Sequence, residues 1–189
     1  IGGKLIAIPY HEKYAELLKP IVVKLEEAAN KTDNKEFRKT LMIQAQAITD
    51  GSYERATAAW LGMKPYSLDI SIGPNDYFDD QLFYTKTSYQ AWVGAVDSER
   101  TKKINNYKST ILSARRKALI PAERVDNYEN VKAKVIDTVL FSGLMARTKF
   151  QGVNYPINID FVEKYGSEIT LFNQPNDQLV QERVIPTFN

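Results

Sequence analysis

Hydrophobic positions recur at helical spacing through the first third of the chain and at strand spacing through much of the remainder. After the apolar opening Leu5-Ile6-Ala7-Ile8-Pro9, the stretch 12–30 sets Leu17, Leu18, Ile21, Val22 and Leu25 three and four residues apart. That spacing predicts an amphipathic helix, bent or restarted near Pro20. Phe37, Leu41, Ile43, Ala45 and Ile48 predict a second helix over 34–49, with Asp33 as its N-cap and Asp50-Gly51 as its stop. A third, shorter helix runs from Ser52 through Tyr53, Ala56, Ala59 and Trp60 to Gly62. Residues 1–64 read as a helical lobe.

The period then changes. Leu68-Asp69-Ile70-Ser71-Ile72 alternates apolar and polar residues and is closed by Gly73-Pro74, the pattern of a strand entering a turn. A second strand is predicted over 88–96 from Tyr89, Trp92, Val93 and Val96. Asp97 caps a long helix over about 97–119, with Ile104, Tyr107, Ile111 and Leu112 on one face and Pro121 beyond its end. Further strands are predicted over 135–140, 155–159 and 168–172. The class is therefore α+β: an N-terminal helical lobe (1–64), then a strand-containing portion (65–189) with a small, mostly antiparallel sheet or partial barrel and one long inserted helix.

Composition narrows the function classes. No run approaches the ~20 apolar residues of a membrane span. The net charge is only +2, with basic and acidic residues interleaved, so nucleic acid is not an expected partner. The densest basic run, Arg115-Arg116-Lys117, sits where it complements the negative end of the long helix. The absence of Cys excludes disulfides, a thiolate nucleophile and a Cys-based zinc site. It leaves the compartment open between cytoplasm and periplasm. The first residue is Ile, which reads as a trimmed or processed chain.

A hydrolytic zinc site takes about three protein ligands, commonly two His on one helix face beside a Glu. The chain has a single His, and His11-Glu12 is followed by Tyr14, Ala15 and Glu16 rather than a second His. No catalytic or metal-binding residue is therefore assigned. No Gly-x-Ser-x-Gly elbow and no phosphate-cradling Gly-rich loop occurs either. Two features remain. Asp76, Asp79 and Asp80 lie among Tyr77, Phe78, Phe83 and Tyr84, a setting that suits an ordinary solvated turn, a cation such as an α-ammonium group, or a glycosidase carboxylate pair. Asn173-Gln174-Pro175-Asn176-Asp177 directly follows a predicted strand, and it suits either a plain turn or a fixed pair of amides that holds a peptide backbone.

Taken together, these segments resemble the dipeptidyl peptidase III family. Ile72-Gly73-Pro74-Asn75-Asp76-Tyr77-Phe78-Asp79-Asp80-Gln81-Leu82-Phe83-Tyr84-Thr85-Lys86, then Tyr89-Gln90-Ala91-Trp92-Val93-Gly94, is similar to the family pattern I-G-P-x-E-x-Y-E-D-x-L-F-G-x-K followed by F-E-A-F-V-G. Asn173-x-Pro175-Asn176-Asp177 resembles the family's N-x-P-N turn. The resemblance covers about 44–177 and implies a zinc-dependent enzyme that removes dipeptides from peptide N-termini. It implies that Asp76 grips the free amino group of a short peptide, that Phe78 contacts the bound peptide, and that Asn173 and Asn176 hold its first backbone groups. Asp79 and Asp80 are secondary candidates. Asp76 stands where the family has Glu, and Phe78 where it has Tyr; altered preference or lost activity follows from either change. The family's zinc helix comes after the Asn turn, so zinc is expected in the full-length protein and none in this chain. The remainder of the parent polypeptide is then a partner. The alternative is a remnant that binds peptides, or acts as a scaffold, without hydrolysing them.

Overall fold

The computed structural model describes residues 6–76, 87–117, 132–147 and 150–188. They fall into two compact units, Ile1–Lys64 and Pro65–Asn189. In the first, one turn of helix, α1 (Tyr10–Lys13), precedes α2 (Ala15–Lys31), α3 (Lys35–Asp50) and α4 (Tyr53–Gly62). The break before α2 falls at Tyr14, and α2 continues through Pro20. Asn34, not Asp33, caps α3: its side chain accepts from the Phe37 N–H at 2.8 Å. Either residue type suits a cap, so composition did not separate the two neighbours. Gly51 ends α3 at φ 78°, in the left-handed region that glycine enters without a Cβ penalty. Leu18, Leu25 and Ala29 of α2 are buried, as are Phe37, Leu41, Ala45 and Ile48 of α3 and Ala56, Trp60 and Leu61 of α4. Each buried Leu, Ile or Phe contributes roughly 1.5–3 kcal/mol through removal from water.

The second unit holds a mixed five-stranded half-barrel sheet in the order β1-β2-β3-β5-β4. Its strands are β1 (Leu68–Asp76), β2 (Ser88–Val96), β3 (Lys132–Gly143), β4 (Gly152–Tyr155) and β5 (Glu168–Phe172). The β3–β5 pair is parallel and the other pairs are antiparallel. Three strands differ from the sequence reading: the one expected over 135–140 runs from Lys132 to Gly143, and two others change their bounds. β1 runs on through Gly73 and Pro74 instead of turning there, with Pro74 opposite Tyr89 and a bulge before Asp76. An edge strand tolerates proline because one side of its ladder needs no donor. The fourth predicted strand, 155–159, lies earlier, at Gly152–Tyr155, and Ile159 instead opens α7 (Ile159–Tyr165), capped by the Asn158 side chain.

α5 (Ser98–Lys117) begins where β2 ends, and Asp97 caps it by accepting from the Arg100 N–H at 2.8 Å. Its first turns serve backbone groups of β3 beyond the reach of β2. The Asp97 N–H donates to the Val135 carbonyl (2.9 Å), Thr101 Oγ1 accepts from the Val135 N–H (2.9 Å), and Asn105 Nδ2 donates to the Ala133 carbonyl (2.9 Å). Buried main-chain groups are thereby satisfied by side chains of a helix. Ile104 is half-buried, whereas Tyr107 and Ile111 of the expected apolar face are exposed.

A bulge in β3 sets which side chains face inward. Val93 pairs with Leu140 and Gly94 with Thr138, leaving Val139 without a partner position. Val139 and Leu140 are exposed, while Phe141 meets Phe172 edge-on at 4.9 Å, and Trp92, opposite Phe141 across the strand pair, also meets Phe172 edge-on at 5.9 Å. Past β5 the chain continues into α8 (Asn173–Leu179), one π-helical turn (Val180–Val184) and α9 (Ile185–Phe188). A further helical turn, α6 (Leu144–Arg147), follows β3.

Candidate functional site

The alternation in β1 runs opposite to an apolar-inward strand. Asp69 and Ser71 are buried at 1% and 5% exposure, while Leu68 is exposed and Ile70 is only half covered on the other side. The inward face of the sheet is therefore partly polar. Asp69 accepts from Trp92 Nε1 at 2.7 Å and is ion-paired with Lys134, whose ammonium also lies 2.5 Å from Glu168 Oε1. Two carboxylates from β1 and β5 thus share one cation from β3. Burial pushes the Glu168 carboxyl above its usual value, and the Lys134 charge only partly offsets this. Sequence reasoning missed this cluster because charged residues at strand positions read as solvent-facing.

The Asn173 segment is the first turn of α8 rather than a free turn. Asn173 is 6% exposed and its amide is held on three sides. Its Nδ2 donates to Asp137 Oδ1 at 2.7 Å and to Asp97 Oδ2 at 3.3 Å, and its Oδ1 accepts from Arg100 Nη1 at 2.5 Å. Charge fixes the amide orientation, since a flip would set the amide oxygen against two carboxylates and the NH2 against a guanidinium. Both N–H groups are spent, and one lone pair of Oδ1 is left. Next to it, Gln174 Oε1 accepts from the Thr138 N–H at 2.9 Å, and Asp177 lies 3.6 Å from Arg100 Nη1. The Asp97 carboxyl is held below its usual value, chiefly by the Arg100 N–H and further by the Asn173 amide and the Arg100 charge.

The other sequence-predicted residues are placed less fully. Asp76 closes β1, with its backbone opposite Ser88, and Asn176 lies within α8; the side chains of both are outside the description. Phe78, Asp79 and Asp80 lie outside the described residues. Strand pairing does not itself bring Asp76 to Asn173. Asp76 attaches to the start of β2 at Ser88, whereas Phe172 pairs with Ile136 and so leads to Val96 at the end of β2. Any approach of the two comes from the curl of the half-barrel. Among the described residues, no group of three or more His, Asp or Glu side chains is placed to hold a metal ion. No helix among them is long and apolar enough to cross a membrane.

No family model matches the sequence. Of curated proteins, Nudix hydrolase 3 of Arabidopsis thaliana is 25% identical over 173 residues, which covers 90% of this chain and 22% of that protein. Of solved structures, dipeptidyl peptidase III from Caldithrix abyssi superposes with a TM-score of 0.89 at 25% identity, covering 98% of this chain and 36% of that one. Dipeptidyl peptidase III from Corallococcus sp. strain EGB superposes at 0.83 with 21% identity, covering 98% and 35%. The chain has the α+β fold of these dipeptidyl peptidase III structures, and it spans about a third of their length.

Proposed function

We propose that this chain is the peptide-binding portion of a dipeptidyl peptidase III-like zinc peptidase, which receives the free N-terminus of a short peptide so that a dipeptide is released. The observation that carries the reading is the superposition at TM-score 0.89 over 98% of the chain. In this reading Asp76 takes the α-ammonium group at the end of β1, Phe78 lies against the peptide, and the first turn of α8 meets the leading backbone groups through Asn176, with the buried Asn173 holding that turn in place. Asp79 and Asp80 add negative charge near the amine. Anchoring the amine fixes how many residues reach the scissile bond, which is how a two-residue product arises. Zinc would supply the activated water in such an enzyme. The residues of this chain do not fit that metal, because its one imidazole, His11, has no second His to pair with, so no hydrolytic step is assigned to them.

A non-catalytic peptide-binding or scaffold role is the second reading. It is favoured by the shorter Asp76 and by Phe78, which lacks a hydroxyl donor. Both readings place amine recognition at Asp76, and a chain spanning about a third of the similar structures is expected to carry only part of the binding contacts, with about millimolar affinity or worse. Chemical-shift titration of the protein with a tetrapeptide and its N-acetyl form tests the shared claim. A charge-assisted hydrogen bond corresponds to ~10-fold or more in affinity. The free peptide should bind at least that much tighter, and Asp76→Ala should erase the difference. Equal affinity of the two peptides for the unmodified protein would end the amine-binding assignment.

A further inference from the structure

We propose that Arg100 is a positioning residue for peptide binding: its guanidinium fastens the first turn of α8 to the start of α5, while Asn173 serves as the anchor point and Asn176 as the peptide contact. The inference rests on the peptide-binding reading above. Its geometric basis is the joint between β5 and α8. Arg100 Nη1 reaches Asn173 Oδ1 at 2.5 Å and Asp177 Oδ1 at 3.6 Å, and Arg100 Nε lies 3.6 Å from Asp97 Oδ2. Nη1 therefore faces the first and fifth residues of α8 together, while Nε is turned toward the α5 cap. Through Asn173 it also balances Asp137. Three carboxylates, from the α5 cap, β3 and α8, are thus drawn to one joint by a single guanidinium.

Two features separate positioning from plain stabilisation. Arg100 is half exposed, with 51% of its side chain open to solvent, so its pairs add little to global stability. Asn173, in contrast, is buried with both N–H groups spent, so it offers no donor to a peptide carbonyl. Without Arg100 the mutual repulsion of Asp97, Asp137 and Asp177 acts on the first turn of α8, leaving the Gln174 bond to the Thr138 N–H as a weaker tie. The loss should then appear in ligand affinity before it appears in unfolding.

The test compares Arg100→Met and Arg100→Lys with the unmodified protein, using the tetrapeptide and its N-acetyl form and following the unfolding midpoint alongside. Arg100→Met should weaken tetrapeptide binding ~5- to 10-fold, the scale of one or two hydrogen bonds. The free-to-acetylated ratio should not change, because amine recognition lies at Asp76, and the unfolding midpoint should hardly move. Arg100→Lys should recover most of the loss. An unchanged affinity in Arg100→Met, with the Asp76→Ala effect intact, overturns the positioning role and leaves the peptide-binding reading standing. A fall in affinity that only tracks a fall in stability, with no recovery by Lys, overturns it as well. If Arg100→Met does not fold, Arg100→Lys decides alone, a two- to threefold loss supporting the role and no loss refuting it. If the unmodified protein binds neither peptide, both inferences fall together.

Discussion

Lys134→Met removes the cation that two buried carboxylates share and keeps most of the side-chain stem. Asp69 is 1% exposed, Glu168 12% and Lys134 itself 14%, so water is poorly placed to take over the charge. Stripping one partner from a buried ion pair costs about 3–5 kcal/mol, whereas replacing the whole group with neutral residues of like size is close to neutral. With two carboxylates left behind, the upper half of that range is expected at pH 7, a third or more of the ~5–15 kcal/mol that holds a domain folded. The chain has two Trp, one in each unit, so Trp60→Phe leaves Trp92 as the reporter of the sheet. Urea denaturation followed by Trp92 fluorescence should give a large loss at pH 7. The loss should shrink on acidification to pH 5, because burial already holds the Glu168 carboxyl above its usual value. Adding Asp69→Asn and Glu168→Gln to Lys134→Met should recover most of it. A loss under ~1 kcal/mol at pH 7 would mean that the cluster behaves as a solvated surface pair, and the buried-cation account would be wrong.

Two further outcomes follow from the same unit. Burial raises the Glu168 carboxyl above its ordinary value of 4.5, so the folded protein keeps a proton that the unfolded chain has already released; stability through this group therefore falls as pH rises from about 4.5 through the folded value. Glu27, Asp50 and Asp97 shift downward from 4.5, 3.8 and 3.8, so their contribution disappears only on acidification below that range. Glu168→Gln should accordingly gain on the unmodified protein between pH 5 and 8 in urea midpoints, and parallel curves would contradict this. Gly143 sits at φ 64°, where an added Cβ would overlap the Tyr89 carbonyl oxygen and come within 3.0 Å of the Gln90 Cα. Gly143→Ala should cost ~3 kcal/mol or more, since the obstacle is the backbone of β2; a change within ~0.5 kcal/mol would show that the β2–β3 ladder yields there.

Much of the fold was legible in the sequence wherever a local rule decided it. The bounds of β2 and β5 follow from runs of β-branched and aromatic residues, and Asp97 and Gly51 act as the cap and stop that their chemistry implies. Tertiary context decided the rest. Pro74 stays in a strand because β1 is an edge, a fact about sheet order that its neighbours do not carry. The parallel β3–β5 pair and the unpaired Val139 depend on contacts more than thirty residues apart in sequence. The candidate site was legible only in part. Asn173 stood out by its place in a motif, yet Arg100 and Asp137, which fix its amide, carry no local signal at 73 and 36 residues away.

The buried charges also bear on how the site is placed. β5 pairs on both sides, with β3 and with β4, and only five residues set its register. A slip of one residue would turn Phe172 away from Trp92 and Phe141. A slip of two would keep the faces but carry Glu168 away from the Lys134 ammonium, leaving a carboxylate on the inward face without its cation. Apolar packing excludes the first error, and the charge requirement excludes the second. Because Asn173 follows Phe172 directly, the register of β5 also fixes where α8 begins, and the clamp by Arg100, Asp97 and Asp137 can form only at that position. A polar interior that costs stability in this half-barrel is therefore consistent with a requirement for an accurately started α8.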